Sequence, residues 1–104
     1  MDYFTLIKPM KMYELFSKPG TWTCKTFARN ISNNSCTYDD INANCWCILG
    51  AVYHCYDKNE WDEIRSKIYE KLNPNKYVIS TSEWNDDSQR TQGDVYNLCK
   101  ELDI

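Results

Sequence analysis

The feature that most constrains the fold is the apolar stretch at residues 43–56, ANCWCILGAVYHCY. Only Asn44, Gly50 and His54 in it fall outside the apolar and aromatic residue types. A helix that is apolar on every side must be covered by other elements all round. Strands rarely need so many residues, so the length of the stretch favours a helix. The sequence therefore predicts a buried central helix over residues 43–56, and Asp39 and Asp40 are placed to cap its start.

One face of this predicted helix collects small side chains beside a histidine: Ala43, Cys47, Gly50, Ala51 and His54. Small residues on a helix let another backbone, or a ligand, approach closely. Glycine inside a helix costs about 1 kcal/mol relative to alanine, so Gly50 indicates a need for space. We expect Gly50→Val and Gly50→Leu to overpack the fold by about 1–3 kcal/mol or more, and Gly50→Ala to be milder.

Three further helices are expected around the central one. The first covers about residues 9–18 and ends at Pro19-Gly20. The second is capped by Asn59 and stops at Asn73-Pro74, with an apolar stripe of Trp61, Ile64, Ile68 and Leu72. The last begins at Thr91, whose spacing to Asp94 is that of a capping box, and its stripe is Val95, Leu98, Cys99 and Leu102.

The segment at residues 21–38 has a different pattern. Alternation from Trp22 to Ala28 predicts a strand, residues 30–34 have turn chemistry, and Cys36 and Tyr38 lie on the return. We predict a small β-hairpin, with an irregular loop as the alternative. A short apolar piece at residues 76–80 suits a strand or one turn, and residues 85–88 are interpreted as a turn. The fold class is α+β, mainly α: a central helix packed by two to four others in one domain over residues 1–104.

Composition limits the function classes. No apolar run reaches the ~20 residues that span a bilayer. The first residues carry an acid at position 2 and no long apolar segment, unlike a secretory signal, so we expect no membrane association and a cytoplasmic location. Six cysteines in a reducing cytosol are interpreted as thiols. The net charge is −3, and residues 38–104 hold thirteen acids against seven bases. An acidic body of this kind argues against broad nucleic-acid binding.

The sequence offers weak candidates for a reactive or metal site. Cys47 and His54 share a helix face, but seven residues put their Cα atoms about 10 Å apart, whereas a nucleophile and its base need roughly 3 Å between heteroatoms. Cys45 and Cys47 would point about 200° apart round a helix, so both cannot bind one ion. Whether Cys24 and Cys36 pair or bind metal stays open. Glycine-rich phosphate loops are absent from the sequence. We therefore predict neither catalytic residues nor a metal or other cofactor.

Two short motifs occur together with a characteristic order. They are Trp46-Cys47-Ile48-Leu49-Gly50-Ala51, and Trp84-Asn85-Asp86 followed by Arg90-Thr91 and Val95. Ala28-Arg29 and the run from Asp40 to Ala43 precede them. In this order the chain resembles, over about residues 22–102, a family of small uncharacterised bacterial and phage proteins with a W-C-x-x-G-A helix and a later W-N-D turn. The resemblance implies a shared fold and a frequent phage or mobile-element context, and it implies no catalytic assignment.

The shared polar residues have a structural explanation, as helix caps and turn residues. The alternative is a site beside the small face of the central helix. Its ligand- or partner-binding residues would be Arg29, Trp46, Cys47, His54, Trp84, Asn85, Asp86 and Arg90.

Three functional hypotheses follow. The first is a non-catalytic binding protein that inhibits or modulates a host defence or regulatory component. The alternatives are a protein that sequesters a small nucleotide-like ligand and, third, a cysteine-dependent enzyme.

Overall fold

The computed structural model describes residues 10–75 and 79–104 of the chain. These residues form five α-helices and one small antiparallel sheet, so the predicted α+β class is confirmed. The helices are α1 (Met12–Phe16), α2 (Ile48–Cys55), α3 (Trp61–Leu72), α4 (Thr81–Asp86) and α5 (Gln92–Leu102). The strands are β1 (Ala28–Asn30), β2 (Ser35–Cys36) and β3 (Ala43–Trp46). Within the described residues, no helix has the length and apolar composition needed to cross a membrane.

The sheet has the order β2-β1-β3, and both pairs of neighbours are antiparallel. The turn between β1 and β2 is held by Asn30, whose side chain accepts the N–H groups of Ser32 and Asn34, each at 3.0 Å. Asn33 there has a φ of 64°, a left-handed conformation that asparagine tolerates. The predicted hairpin and its turn are therefore confirmed. The strand itself begins later than predicted, since Trp22 makes only one parallel bridge to Trp46.

The prediction of one helix over residues 43–56 is wrong in its first part. Residues Ala43–Trp46 form β3, which pairs with β1 in the sheet. The helix begins only at Ile48, and the residue that caps it is Cys47, not Asp39 or Asp40. Pairing with a strand that lies more than a dozen residues earlier gives these apolar residues a second way to be buried. The length of the whole stretch favoured a helix, but within the four residues 43–46 periodicity alone cannot distinguish a strand from a buried helix segment.

From Ile48 onward the helix takes the central position that the sequence predicted. Helix α2 contacts α1, β3, α3 and α4, and its buried residues are Ile48, Gly50, Ala51, Val52 and Cys55. Gly50 faces the backbone of Phe27: a Cβ placed on it would lie 2.0 Å from the Phe27 carbonyl oxygen. The expected need for space is confirmed. Alanine stays the mildest of the three substitutions by size, but its Cβ alone already collides with backbone, so it too should destabilise the fold.

The other helices differ mostly at their ends. Helix α1 is shorter than the predicted range 9–18, and residue 9 lies outside the described residues. Helix α3 follows a 3₁₀ turn at Lys58–Glu60 whose cap is Asp57, so the prediction of Asn59 as cap is wrong. It stops at Leu72, directly before the predicted Asn73-Pro74.

The last two helices begin at side-chain caps. Thr91 Oγ1 accepts the N–H of Asp94 at 3.2 Å, and Asp94 accepts the N–H of Thr91 at 3.0 Å, which confirms the predicted capping box of α5. The turn predicted at residues 85–88 begins later than expected: residues 85 and 86 end helix α4, and the turn runs from Asp87, whose carbonyl oxygen accepts the N–H of Arg90 at 2.9 Å. This helix starts where Ser80 Oγ accepts the N–H of Glu83 at 3.0 Å. Of the piece predicted at 76–80, residues 76–78 lie outside the described part of the chain.

Candidate functional site

Asn85, on α4, is the polar centre of the region where the two motifs meet. Its side chain is 1% exposed. Its Oδ1 accepts two hydrogen bonds, from the indole Nε1 of Trp22 at 2.8 Å and from the backbone N–H of Ile48 at 2.9 Å. Its Nδ2 donates to the Thr23 carbonyl oxygen at 3.2 Å. The side-chain amide of Asn85 therefore links α4 by hydrogen bonds to the first turn of α2 and to the segment that precedes β1.

Asp86, the next residue, fixes the neighbouring loop. Its Oδ1 accepts the backbone N–H of Lys25 at 2.8 Å and the Nδ2 of Asn85 at 3.0 Å. Lys25 has a φ of 67°, in the left-handed region that side chains with a Cβ rarely adopt. The charged hydrogen bond that the Lys25 N–H donates to Asp86 compensates for that unfavourable backbone conformation. The Asn85-Asp86 pair thus shapes the loop that covers the start of α2.

Cys47 caps α2 from inside the fold. Its N–H donates to the Phe27 carbonyl oxygen at 3.1 Å, and its Sγ accepts the N–H of Gly50 at 3.2 Å. Burial raises the pKa of the Cys47 thiol; the amides of Gly50 and Leu49 oppose this effect, and the charge of Asp86 adds to it. The net direction keeps the thiol protonated at neutral pH, whereas a nucleophilic cysteine needs its thiolate.

A pocket of about 320 Å³ opens between α2, α4 and the loop before β1. We call it the α2 pocket, and its lining residues are Lys25, Thr26, Phe27, Cys47, Ile48, Leu49, Ser82, Asn85 and Asp86. Three of the eight predicted site residues line it, namely Cys47, Asn85 and Asp86. The motif residues of two distant segments therefore meet at one concave surface. Their role in binding stays a prediction.

The two predicted arginines do not line the α2 pocket, and each is engaged with nearby backbone. Arg29 donates to Thr23 Oγ1 at 3.0 Å and to the Asn33 and Cys24 carbonyl oxygens at 3.4 Å each. Arg90 donates to the Trp84 carbonyl oxygen at 2.8 Å, and its guanidinium carbon lies 3.9 Å from the centre of the Trp84 ring. Arg29 thus stabilises the hairpin turn and the loop before β1. Arg90, which follows α4 in the chain, packs on the ring of Trp84.

Trp46 and His54 form a separate stacked pair. Their ring centroids are 4.1 Å apart with an interplanar angle of 19°, and the Trp46 indole N–H donates to the Tyr38 carbonyl oxygen at 2.9 Å. His54 belongs to the exposed surface, yet the ring packed on Trp46 is partly desolvated, and this burial lowers its pKa. His54 is therefore neutral at pH 7. Neither Trp46 nor His54 lines the α2 pocket.

The six cysteines are free, and three of them, Cys47, Cys55 and Cys99, are buried. Cys24 and Cys36 are therefore not paired in this structure. Among residues 10–75 and 79–104, no group of three or more histidine, cysteine, aspartate or glutamate side chains is arranged to hold a metal ion.

Sequence reasoning missed several residues of this region. Trp22 was assigned to a strand, whereas its indole N–H is a partner of Asn85. Lys25 and Ser82 were not singled out, although both line the α2 pocket. The signal for Ser82 was available: Ser80 followed by Glu83 is a helix start, which would have placed residues 81–86 on a helix.

Comparison with known proteins identifies the family. The chain belongs to the DUF6197 family, a family of unknown function, whose model matches residues 12–102. Searches of curated proteins and of solved structures each found no match.

Proposed function

We propose that this member of the DUF6197 family is a non-catalytic binding protein that acts on a host defence or regulatory protein in a bacterial cell. The phage or mobile-element context of this proposal comes from the resemblance of its two motifs to small phage and bacterial proteins. The acidic body supports the same proposal, since an acidic surface is complementary in charge to a basic protein surface.

The observation that carries the proposal is the occupation of the shared polar side chains. Asn85, Asp86 and Arg90 each hold backbone or indole groups of this same chain. The thiol of Cys47 caps a helix, and burial raises its pKa. Side chains that are satisfied in this way fix the shape of a surface, and a preformed surface binds a partner at a lower entropic cost.

The test is a phage-challenge assay in bacterial strains that each carry one defence system. Expression of the wild-type chain should raise plating efficiency at least tenfold in one or more strains, and a host protein should copurify with it from those strains. Gly50→Leu serves as the misfolded control, because its side chain would collide with the backbone of Phe27. Unchanged plating in every strain, together with no retained host protein, contradicts the proposal.

A second candidate function, sequestering of a small nucleotide-like ligand, is favoured by the α2 pocket. Its volume of about 320 Å³ lies at the lower end of ligand-binding pockets. However, a phosphate at the start of α2 would have to compete with Asn85 for the N–H of Ile48 and with Cys47 for the N–H of Gly50. The protein-binding proposal therefore has the stronger support.

The ligand hypothesis is tested by thermal shift against nucleotides and cyclic nucleotides, since a ligand that binds only the folded state raises the melting temperature. Ser82→Trp is the matched variant, because Ser82 is exposed and lines the α2 pocket. A shift that Ser82→Trp abolishes would support this second candidate. A flat panel with the wild-type protein would exclude tight binding of the compounds tested.

A further inference from the structure

We infer that the protein binds its partner through a cluster of aromatic rings where the β2–β3 connection meets α2 and α3, and that the partner presents an arginine-rich protein segment. The cluster, called here the aromatic face, consists of Tyr38, Tyr53 and Trp61, with Phe27 beside them. This inference rests on the proposed binding function and assigns to it a surface and a partner chemistry.

The three central rings contact one another. The ring centroids of Tyr53 and Trp61 are 4.6 Å apart, those of Tyr38 and Tyr53 are 5.4 Å apart, and those of Tyr38 and Trp61 are 5.9 Å apart. The interplanar angles are 59°, 56° and 88° in the same order, so the rings present edges and faces in several directions. All three side chains are only partly buried. Aromatic residues held in this way are favoured anchors of protein interfaces.

An exposed ring extends the aromatic face. The Phe27 ring is 5.8 Å from that of Tyr53, and Phe27 is 49% exposed. A large exposed ring packed beside half-buried aromatic rings marks a contact surface more strongly than a single exposed residue does.

One guanidinium already lies on this face. Arg65 of α3 donates to the Tyr53 hydroxyl at 3.3 Å, and its guanidinium carbon is 6.0 Å from the centre of the Tyr53 ring. Arg65 also pairs with Asp62. The protein thus contains, in one chain, the contact that a partner arginine would make: a planar cation on an aromatic ring with a carboxylate beside it.

The charges around the aromatic face select the partner. Acidic residues flank its rings in the sequence: Asp39, Asp40, Asp57, Glu60 and Asp62. Near Tyr38, Tyr53 and Trp61 in the sequence the bases are Lys58 and Arg65, and the neighbouring His54 is kept neutral by its lowered pKa. Lys25 and Arg29 lie on either side of Phe27, so the acidic part of the face is the part formed by the three central rings. Complementary charge steers a basic partner toward such a surface, and it repels nucleic acid and anionic lipid.

The experiment uses the full-length protein and two labelled peptides of six Arg-Gly repeats, one of which carries neutral citrulline in place of every arginine. Fluorescence anisotropy should show the arginine peptide binding at least tenfold more tightly than the citrulline peptide. Tyr53→Leu keeps an apolar side chain but removes the ring, and it should weaken arginine-peptide binding at least tenfold. Tyr96→Leu on α5 is the matched control and should leave binding unchanged, and the melting temperature of each variant confirms its fold.

A second pair of variants separates local from overall charge. Asp39→Asn with Asp62→Asn removes two acids beside the aromatic face, while Glu63→Gln with Glu83→Gln removes one acid about 200° round α3 from Trp61 and one exposed acid from α4. The first pair should weaken binding several-fold more than the second and flatten its dependence on salt.

Equal binding of the two peptides, or equal losses in Tyr53→Leu and Tyr96→Leu, would overturn the inference. Self-association of the wild-type chain that Tyr53→Leu abolishes would also overturn it, by assigning the aromatic face to a second copy of the chain.

The phage-challenge assay distinguishes failure of this inference from failure of the proposed function. If Tyr53→Leu retains full activity on plating, the binding function stands and this surface is wrong; if peptide binding behaves as expected and plating never changes, the surface stands and the proposed host target is wrong.

Discussion

Replacing Gly50 by alanine tests the packing at the centre of the fold most directly. An added Cβ would lie 2.0 Å from the carbonyl oxygen, 2.9 Å from the carbonyl carbon and 3.3 Å from the Cα of Phe27. All three are backbone atoms, so no side-chain rotation can relieve the contact. The same carbonyl accepts the N–H of Cys47 at 3.1 Å. Moving Phe27 away from Gly50 would therefore also weaken the hydrogen bond at the start of α2.

The size of the effect follows from three contributions. Overpacking a dense interior costs about 1–3 kcal/mol, and a buried N–H that loses its acceptor costs about 1–3 kcal/mol more. Alanine returns at most about 1 kcal/mol through its better helix propensity. We expect Gly50→Ala to lower the free energy of unfolding by about 3 kcal/mol, which for a domain of this size corresponds to roughly 10–20 °C in melting temperature.

The assay is urea unfolding followed by tryptophan fluorescence and far-ultraviolet circular dichroism. Gly93→Ala is the matched control, because a Cβ there would meet only the Thr91 side chain, at 3.6 Å. This control should leave stability unchanged or raise it by up to about 1 kcal/mol. The same substitution should thus destabilise the protein at position 50 and not at position 93. If Gly50→Ala is as stable as the wild-type protein, then α2 does not pack on the Phe27 backbone and the central position of the helix is refuted.

Three further predictions follow from the same region and from the buried thiols. Asn85→Ala should lower the free energy of unfolding by about 2–4 kcal/mol in urea, since two N–H donors lose their shared acceptor; a loss below about 1 kcal/mol would contradict the central role of this amide. Cys47→Ser should stay within about 1 kcal/mol of wild type because serine is itself a good cap, whereas Cys47→Val should lose about 1 kcal/mol more, and equal stability of the two variants would rule out the capping role. Burial raises the pKa of Cys55 and of Cys99 to about 12. Because the folded state holds these protons more tightly than the unfolded chain, this contribution to stability is complete below pH ~9 and is lost as the pH rises toward 12. The urea midpoint should therefore fall between pH 9 and 11, and it should fall less in the Cys55→Ala, Cys99→Ala double variant.

The parts of the fold that the sequence determined by itself are those with local causes. The capping box of α5 joins residues only three positions apart, Thr91 and Asp94. Neighbouring residues also determine where α3 stops, before Asn73-Pro74, and how the asparagine turn of the hairpin forms. These features can be predicted without knowing the rest of the fold, because both partners of each interaction lie within one turn of backbone.

The site depended on contacts between distant segments. Asn85 accepts the N–H of Ile48 from 37 positions away, and the sequence shows only an asparagine that suits a turn or a cap. The role of Gly50 was visible as a need for space, but not that the backbone of Phe27 fills it. The aromatic face likewise joins Tyr38, Tyr53 and Trp61, which have no common period.

Residues 43–46 depend on both local sequence and tertiary contacts. Their apolar character determined that they would be buried, and this much was correct for Trp46, which is 7% exposed. Whether they became strand or helix depended on β1, which offers backbone hydrogen bonds to β3 from residues 28–30. Hydrophobicity fixes which side chains leave water, but only the tertiary arrangement decides which backbone partners are within reach, because those partners come from elsewhere in the chain.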